Sequence, residues 1–292
     1  MERTVQTPDG RTLAVQEAGD PRGKPVLVHM GSPNSRHIYG PNASDATAKG
    51  LRLICYDRPG YGGSTPQPGR THADCAADVR AICASLEIDQ VAIWGMSGGS
   101  AHALACAALL PDLVVAAAAL AGLAPYGADG LDWFGGMGAT NADGFRLLLA
   151  DKAEGRAMME KFREQLIAAT ADDQAKALES LLAPADAAVL TAGLAEYLAF
   201  TAHDGLAPGT EGWFADASAQ AGPWGFDVTD ISVPVMVMHG RQDRFVPVAH
   251  GEWLAAHVPG ADARILDNDG HLTLLQNRIP EVHSWLSGWL AA

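Results

Sequence analysis

Short apolar runs alternate with stretches of helical composition along this chain, and the alternation predicts its architecture. Near the N-terminus, Arg3–Gln6 and Arg11–Glu17 interleave polar and apolar residues on either side of Pro8-Asp9-Gly10, the pattern of two half-buried strands joined by a hairpin turn. Pro25–His29, Leu51–Tyr56, Val91–Trp94 and Val233–Gly240 are instead almost continuous apolar runs bounded by turn residues, as expected of strands covered on both faces. Leu113–Gly122 and Ala263–Asp267 bring the strand count to eight. Helices are predicted from Thr71 to about Leu86, where Thr71-His72-Ala73-Asp74 resembles a capping box, over Ala101–Cys106, over Val248–His257, and as a final amphipathic helix through Trp285 and Leu290. Strands and helices alternating at these spacings imply a mostly parallel sheet with right-handed crossovers, flanked by helices: an α/β architecture.

The texture changes at about residue 124. From there to about residue 226 the chain shows helical patterns, such as Glu154–Ile167 and Asp173–Leu182, and no convincing strand. This predicts three segments: an α/β core over 1–123, an inserted helical cap over 124–226, and the rest of the core over 227–292. Within the insert, Leu131–Gly138 sets large apolar side chains beside glycines, which suits either packing between helices or the lining of a pocket.

Composition narrows the function. The chain has 292 residues, 48% hydrophobic and 18% charged, and a formal net charge of −14. That balance suits a folded globular protein and opposes nucleic-acid binding, because no basic excess exists to displace phosphate counterions. Residues 1–10 contain no apolar signal core, which points to the cytoplasm. The apolar window 103–124 is broken by Pro111-Asp112, so a buried helix end and strand are expected there rather than a membrane span. Cys55, Cys75, Cys83 and Cys106 form no C-x-x-C pair, and small buried hydrophobes are the simplest reading. His250 and His257 lie seven apart around Glu252, which is not metal-ligand spacing, and no phosphate loop or dinucleotide fingerprint follows a strand. Neither metal nor cofactor is expected. A small-molecule substrate is, and a homo-oligomer is compatible with the sequence.

The chemistry centres on Val91–Met96 running through Gly95-Met96-Ser97-Gly98-Gly99 into an Ala-rich helix. Strand, sharp turn and helix around G-x-S-x-G make a nucleophile elbow: small residues flank the serine because the chain reverses too tightly for side chains, and the new helix's first amides are unpaired. With Tyr56-Asp57-Arg58-Pro59-Gly60-Tyr61-Gly62-Gly63-Ser64 upstream and Gly270-His271 downstream, the chain resembles the α/β-hydrolase superfamily, and within it the capped serine hydrolases and esterases. The resemblance spans nearly the whole chain except the insert.

A serine nucleophile needs a base, and the base needs a carboxylate. The family's chain order of Ser, acid, His points to His271 in the loop after the last strand rather than His283, which lies inside a helix. It points to Asp243 as the acid, ahead of Asp267 and Asp269, which stand too close to His271 in sequence; Asp129 or Asp132 is the minor alternative. His29, His102 and His239 are expected to be packing residues. The oxyanion donors implied are the amides of Ser32 and Gly98. Met30 replaces the His that many relatives carry in His-Gly-x-Pro, which leaves the amide but removes the loop's usual brace. Asp57 and Arg58 are expected to be structural partners. The activity implied is hydrolysis of a carboxylic ester or lactone. A carbon–carbon bond hydrolase or thioesterase with the same triad, or a non-catalytic ligand-binding member of the fold, are the alternatives.

Overall fold

In the computed structural model, which describes residues 1–290, eight strands form one sheet: β1 (Glu2–Gln6), β2 (Thr12–Gly19), β3 (Lys24–His29), β4 (Leu51–Tyr56), β5 (Val91–Met96), β6 (Val114–Leu120), β7 (Val235–Gly240) and β8 (Asp262–Leu266). Their order is β1-β2-β4-β3-β5-β6-β7-β8. Only β2 runs against the others: it pairs antiparallel with both β1 and β4, and every pairing from β4 to β8 is parallel. The hairpin thus forms one edge of an otherwise parallel sheet, as the alternation predicts.

The helices are α1 (Gly40–Ala48), α2 (Cys75–Ser85), α3 (Ser100–Leu109), α4 (Ala139–Ala150), α5 (Lys152–Ala168), α6 (Ala171–Ala177), α7 (Pro184–Val189), α8 (Ala192–Leu206), α9 (Glu211–Ala221), α10 (Val248–His257) and α11 (Ile279–Ser287). Successive strand residues face opposite sides, and this sorts the core into two layers. Val26, Val28, Trp94, Ala118 and Met238 pack with Ala46 of α1 and Ile279, Val282 and Leu286 of α11. Leu27 and Ile93 on the reverse face meet Val79 and Ile82 of α2, while Ala117 and Val237 meet Leu104 of α3 and Leu254 of α10.

Three details depart from the sequence expectation, the first being that α6 ends at Ala177 and does not run on to Leu182. Asp74 accepts hydrogen bonds from Thr71 N (2.7 Å) and Thr71 Oγ1 (2.8 Å), so the capping motif closes as a turn and α2 begins only at Cys75. Helix α1 was not anticipated, because it buries only Asn42 and Ala46 and so carries almost no apolar periodicity.

Helices α4 to α9 lie between β6 and β7, with no strand among the described residues of that stretch. They sit directly on core loops: Gly62 N donates to Gly205 O (2.9 Å), Gly212 N to Gly60 O (3.2 Å), and Tyr197 OH to His37 O (2.9 Å). A side chain at Gly60 would put its Cβ 2.6 Å from Gly212 N, so only a glycine allows the two backbones to meet. No helix among the described residues is long and apolar enough to cross a membrane.

Candidate active site

Four parallel strands deliver the site residues from their carboxyl ends, where open α/β sheets bind ligands. Ser32 follows β3, Ser97 follows β5, Asp243 follows β7 and His271 follows β8. Ser97 has φ +54°, a left-handed conformation uncommon for a residue with a side chain. Its neighbours explain how the turn is held. A Cβ at Gly95 would lie 2.3 Å from Gly99 O, and one at Gly99 would lie 2.1 Å from His29 O; both positions must be glycine for β5 to turn this sharply into α3. Ser100 Oγ then ties the turn to the sheet by donating to Gly95 O (3.0 Å) and Leu120 O (2.7 Å).

Ser97 and His271 line the same cavity, of about 370 Å³. His271 Nδ1 donates to Asp243 Oδ2 at 2.7 Å, which leaves Nε2 as the nitrogen free for chemistry. Among the described residues Ser97 Oγ makes no direct hydrogen bond to His271; such contacts are often long before substrate binds. Asp243 is itself fixed, with Oδ1 accepting from Phe245 N and Val246 N, both at 2.8 Å. The Phe245 ring stacks on the imidazole with centroids 4.7 Å apart. His271 is buried, which disfavours its charged form, yet the Asp243 carboxylate outweighs that cost and raises its pKa above the ordinary value of 6.5. The rival acids are engaged elsewhere: Asp267 with Arg241 and Asp269 with Arg278.

The loop after β3 abuts the elbow. A Cβ on Gly31 would lie 3.4 Å from Ser97 Cβ, and one on Gly98 would lie 3.6 Å from Ser32 N, so the Ser32 and Gly98 backbones flank the serine. The brace absent with Met30 is supplied by Arg58, whose buried guanidinium donates to Met30 O (2.5 Å), Gly31 O (3.0 Å) and Ser32 Oγ (2.8 Å). Arg58 is held in turn by Asp216 of α9 (2.6 Å), which also accepts from Arg70, Ser32 Oγ and Tyr61 OH. Burial opposes charge on Asp216, but the two guanidiniums hold its carboxyl well below the usual carboxylate range. Asp57 takes a purely structural part, bonded to Arg36 and to Gly63 N.

The structure also brings in Asp186 of α7, fully buried, whose carboxylate accepts from the amides of His271 (2.9 Å), Leu272 (2.7 Å) and Thr273 (3.1 Å). Sequence reasoning missed Asp186 and Asp216. Both sit in a helical stretch where acidic residues are common, and nothing local marks either as buried. Trp133, in turn, is packing rather than pocket lining: its Nε1 donates to Ala124 O (2.9 Å) and its ring meets Phe134, Phe145 and His250. The cavity's aromatic wall comes from Phe145, Phe162, Trp213 and Phe245.

The histidines expected to be packing residues are buried, but not all are satisfied. His102 Nδ1 donates to Gly98 O (3.0 Å), whereas His29 and His239 each keep an unpartnered Nδ1. His239 lies beside the site, with Nε2 3.5 Å from Asp243 Oδ2. His250 bridges Ala124 N and Trp133 O, and His257 stacks on Trp253. All four cysteines are free and buried. Cys75 and Cys106 nevertheless touch, with Sγ atoms 3.6 Å apart and His29 Nε2 3.8 Å from Cys106, the one grouping among the described residues with metal-ligand donors in reach. Burial pushes the Cys106 thiol well up, as for a packed, protonated sulfur.

A parallel sheet with a left-handed serine turn, a histidine–carboxylate pair and a braced loop at one edge defines the hydrolase architecture built around a nucleophile elbow. The family model for the alpha/beta hydrolase fold matches residues 24–278, and the chain belongs to this family. It is 26% identical over 291 residues to a proline iminopeptidase of Xylella fastidiosa, covering 90% of this chain and 88% of that one. To a non-heme chloroperoxidase of Streptomyces lividans it is 28% identical over 256 residues, 84% of each chain. An esterase from Exiguobacterium antarcticum shares the fold with a TM-score of 0.72 at 20% identity, over 98% of this chain and 99% of that one.

Proposed function

We propose that this protein is a serine hydrolase of carboxylic esters or lactones. The observation that carries the proposal is the 2.7 Å Asp243–His271 hydrogen bond at a cavity that Ser97, held at φ +54°, also lines. His271 Nε2 takes the Ser97 hydroxyl proton as Oγ attacks the substrate carbonyl carbon. Asp243 keeps the proton on Nδ1 and stabilises the imidazolium. The amides of Ser32 and Gly98 receive the oxyanion. Collapse of the tetrahedral intermediate expels the alcohol, which takes the proton from His271. Water, deprotonated by the same nitrogen, then releases the acid and restores Ser97.

The cavity wall favours an uncharged substrate. Among the described lining residues there is no Lys or Arg, and the one carboxylate besides the reacting groups, Asp216, is already neutralised by two arginines. The rest of the wall is mainly apolar, including Phe145, Leu178, Leu198 and Trp213 from the segment that holds α4 to α9, which acts as the lid over the site. The test is labelling with a fluorophosphonate together with hydrolysis of p-nitrophenyl esters. Wild type should be labelled and active, and Ser97→Ala should be neither. A folded wild type that resists labelling, or a Ser97→Ala variant that keeps its turnover, would rule the proposal out.

A further inference from the structure

The lid segment reaches the chemistry at a point that its role as a cover does not require. Asp186 sits in α7, 85 residues before His271, with no exposed surface. Its two oxygens take three consecutive amides: Oδ2 that of His271, and Oδ1 those of Leu272 and Thr273. Three converging N–H groups on one buried carboxylate form a built anion nest, and charge-assisted bonds of this kind are among the strong ones. Gly270 completes the fit, because a Cβ there would lie 2.3 Å from Asp186 Oδ2. The turn that carries the imidazole is therefore wrapped around a side chain of the insert.

Resting on the hydrolase reading above, we propose that Asp186 is a positioning residue for His271: through this carboxylate the lid sets the orientation of the imidazole, so the base is in place only while α7 is seated. Without Asp186, the turn's three amides lose their acceptors together, and the ring is steered only by Asp243 and the stack on Phe245. The carboxylate also acts on the imidazole through space. The groups around His271 are Asp243, Asp186, the buried His239, and Asp269 paired with Arg278. Of these, Asp243 contributes most to favouring the imidazolium, and Asp186 adds to it.

The experiment compares wild type with Asp186→Asn, an isosteric change, using an uncharged ester. The variant should lose about 10²-fold in kcat, the cost of a small misplacement of a catalytic group, with KM nearly unchanged. The acid limb of its kcat/KM profile should move to lower pH, a shift that a merely structural role would not produce. A variant matching wild type in both kcat and pH profile overturns the proposal. If the variant does not fold, hydrogen exchange on wild type decides instead. The amides of residues 271–273 should lose protection in the same opening event as those of 185–189, and 271–273 remaining protected while α7 opens overturns it. An inactive, unlabelled wild type would be a different outcome, since that sinks the hydrolase reading itself.

Discussion

Asp216→Asn removes the single negative charge from a buried cluster in which Arg58 and Arg70 are 4% and 3% exposed and Asp216 itself 5%. The carboxylate accepts from Arg58 Nη2 at 2.6 Å, Arg70 Nη2 at 2.5 Å, Ser32 Oγ at 2.5 Å and Tyr61 OH at 3.0 Å. Its loss strands two guanidiniums out of water, and deleting one partner of a buried ion pair costs about 3–5 kcal/mol. That is a large part of the ~5–15 kcal/mol by which domains are stable. At about 2–4 °C per kcal/mol for a large domain, the melting temperature should fall by roughly 6–20 °C. Activity should fall as well, because Arg58 bonds to Met30 O, Gly31 O and Ser32 Oγ and so braces the loop that presents the Ser32 amide. The upper limit is the ~10²–10³-fold lost when one oxyanion donor is removed. Calorimetry and initial rates on a short-chain ester measure the two effects separately. Arg70 touches Asp216 but makes no bond to that loop, so adding Arg70→Met to Asp216→Asn should recover stability without recovering kcat. An Asp216→Asn protein within about 1 kcal/mol of wild type would refute the buried-charge reasoning. One that melts early but turns over normally would refute the brace.

Further outcomes follow from the titrating groups. His271 has a raised pKa and can serve as the proposed base only when neutral, so kcat/KM should fall as pH drops through a value above the ordinary 6.5. Asp243→Asn should move that limb to lower pH and, on the proposed mechanism, reduce kcat by about 10⁴-fold, as in serine triads where the amide imposes the wrong tautomer; a pH–rate profile that does not move would exclude the pairing. His29 and His72 are lowered to about 3 and His250 to about 4, chiefly by burial, so these imidazoles stay neutral in the fold and protonate only on unfolding. Their contribution to stability is complete above about 6.5 and is lost as pH falls toward 3–4, at roughly 4 kcal/mol per pH unit for the three together. Denaturant melts should therefore show a steep loss of stability between pH 6.5 and 4.5, and a flat profile there would show that these histidines titrate normally.

What could be read in the chain was whatever depends on neighbours in sequence. Apolar runs bounded by turn residues marked the covered strands, because an extended segment covered on both faces must be apolar throughout, and polar–apolar alternation around a turn marked the hairpin of β1 and β2. Gly95 and Gly99 marked the elbow, because a side chain at either would strike backbone about 2 Å away. Asp243 and His271, in the loops after β7 and β8, were pointed to by the resemblance, through the family's chain order of serine, acid and histidine. Helix α1 stayed hidden for want of an apolar stripe, and α2 began late because the Asp74 carboxylate is turned back to Thr71 and caps no helix amide.

Only the tertiary structure decided what the inserted helices do. Nothing near Asp186 or Asp216 in sequence distinguishes them from other acidic residues on helices. Their roles exist because the chain folds back to set one against the amides of 271–273 and the other, 184 residues from Ser32, against the arginine that braces the loop. The same holds for the contact between Cys75 and Cys106 and for Trp133, whose surroundings are supplied by other helices. Local sterics are written residue by residue and can be read in order, whereas the partners of a buried charge are chosen by packing between segments far apart in the chain, so they become visible only once that packing is in place.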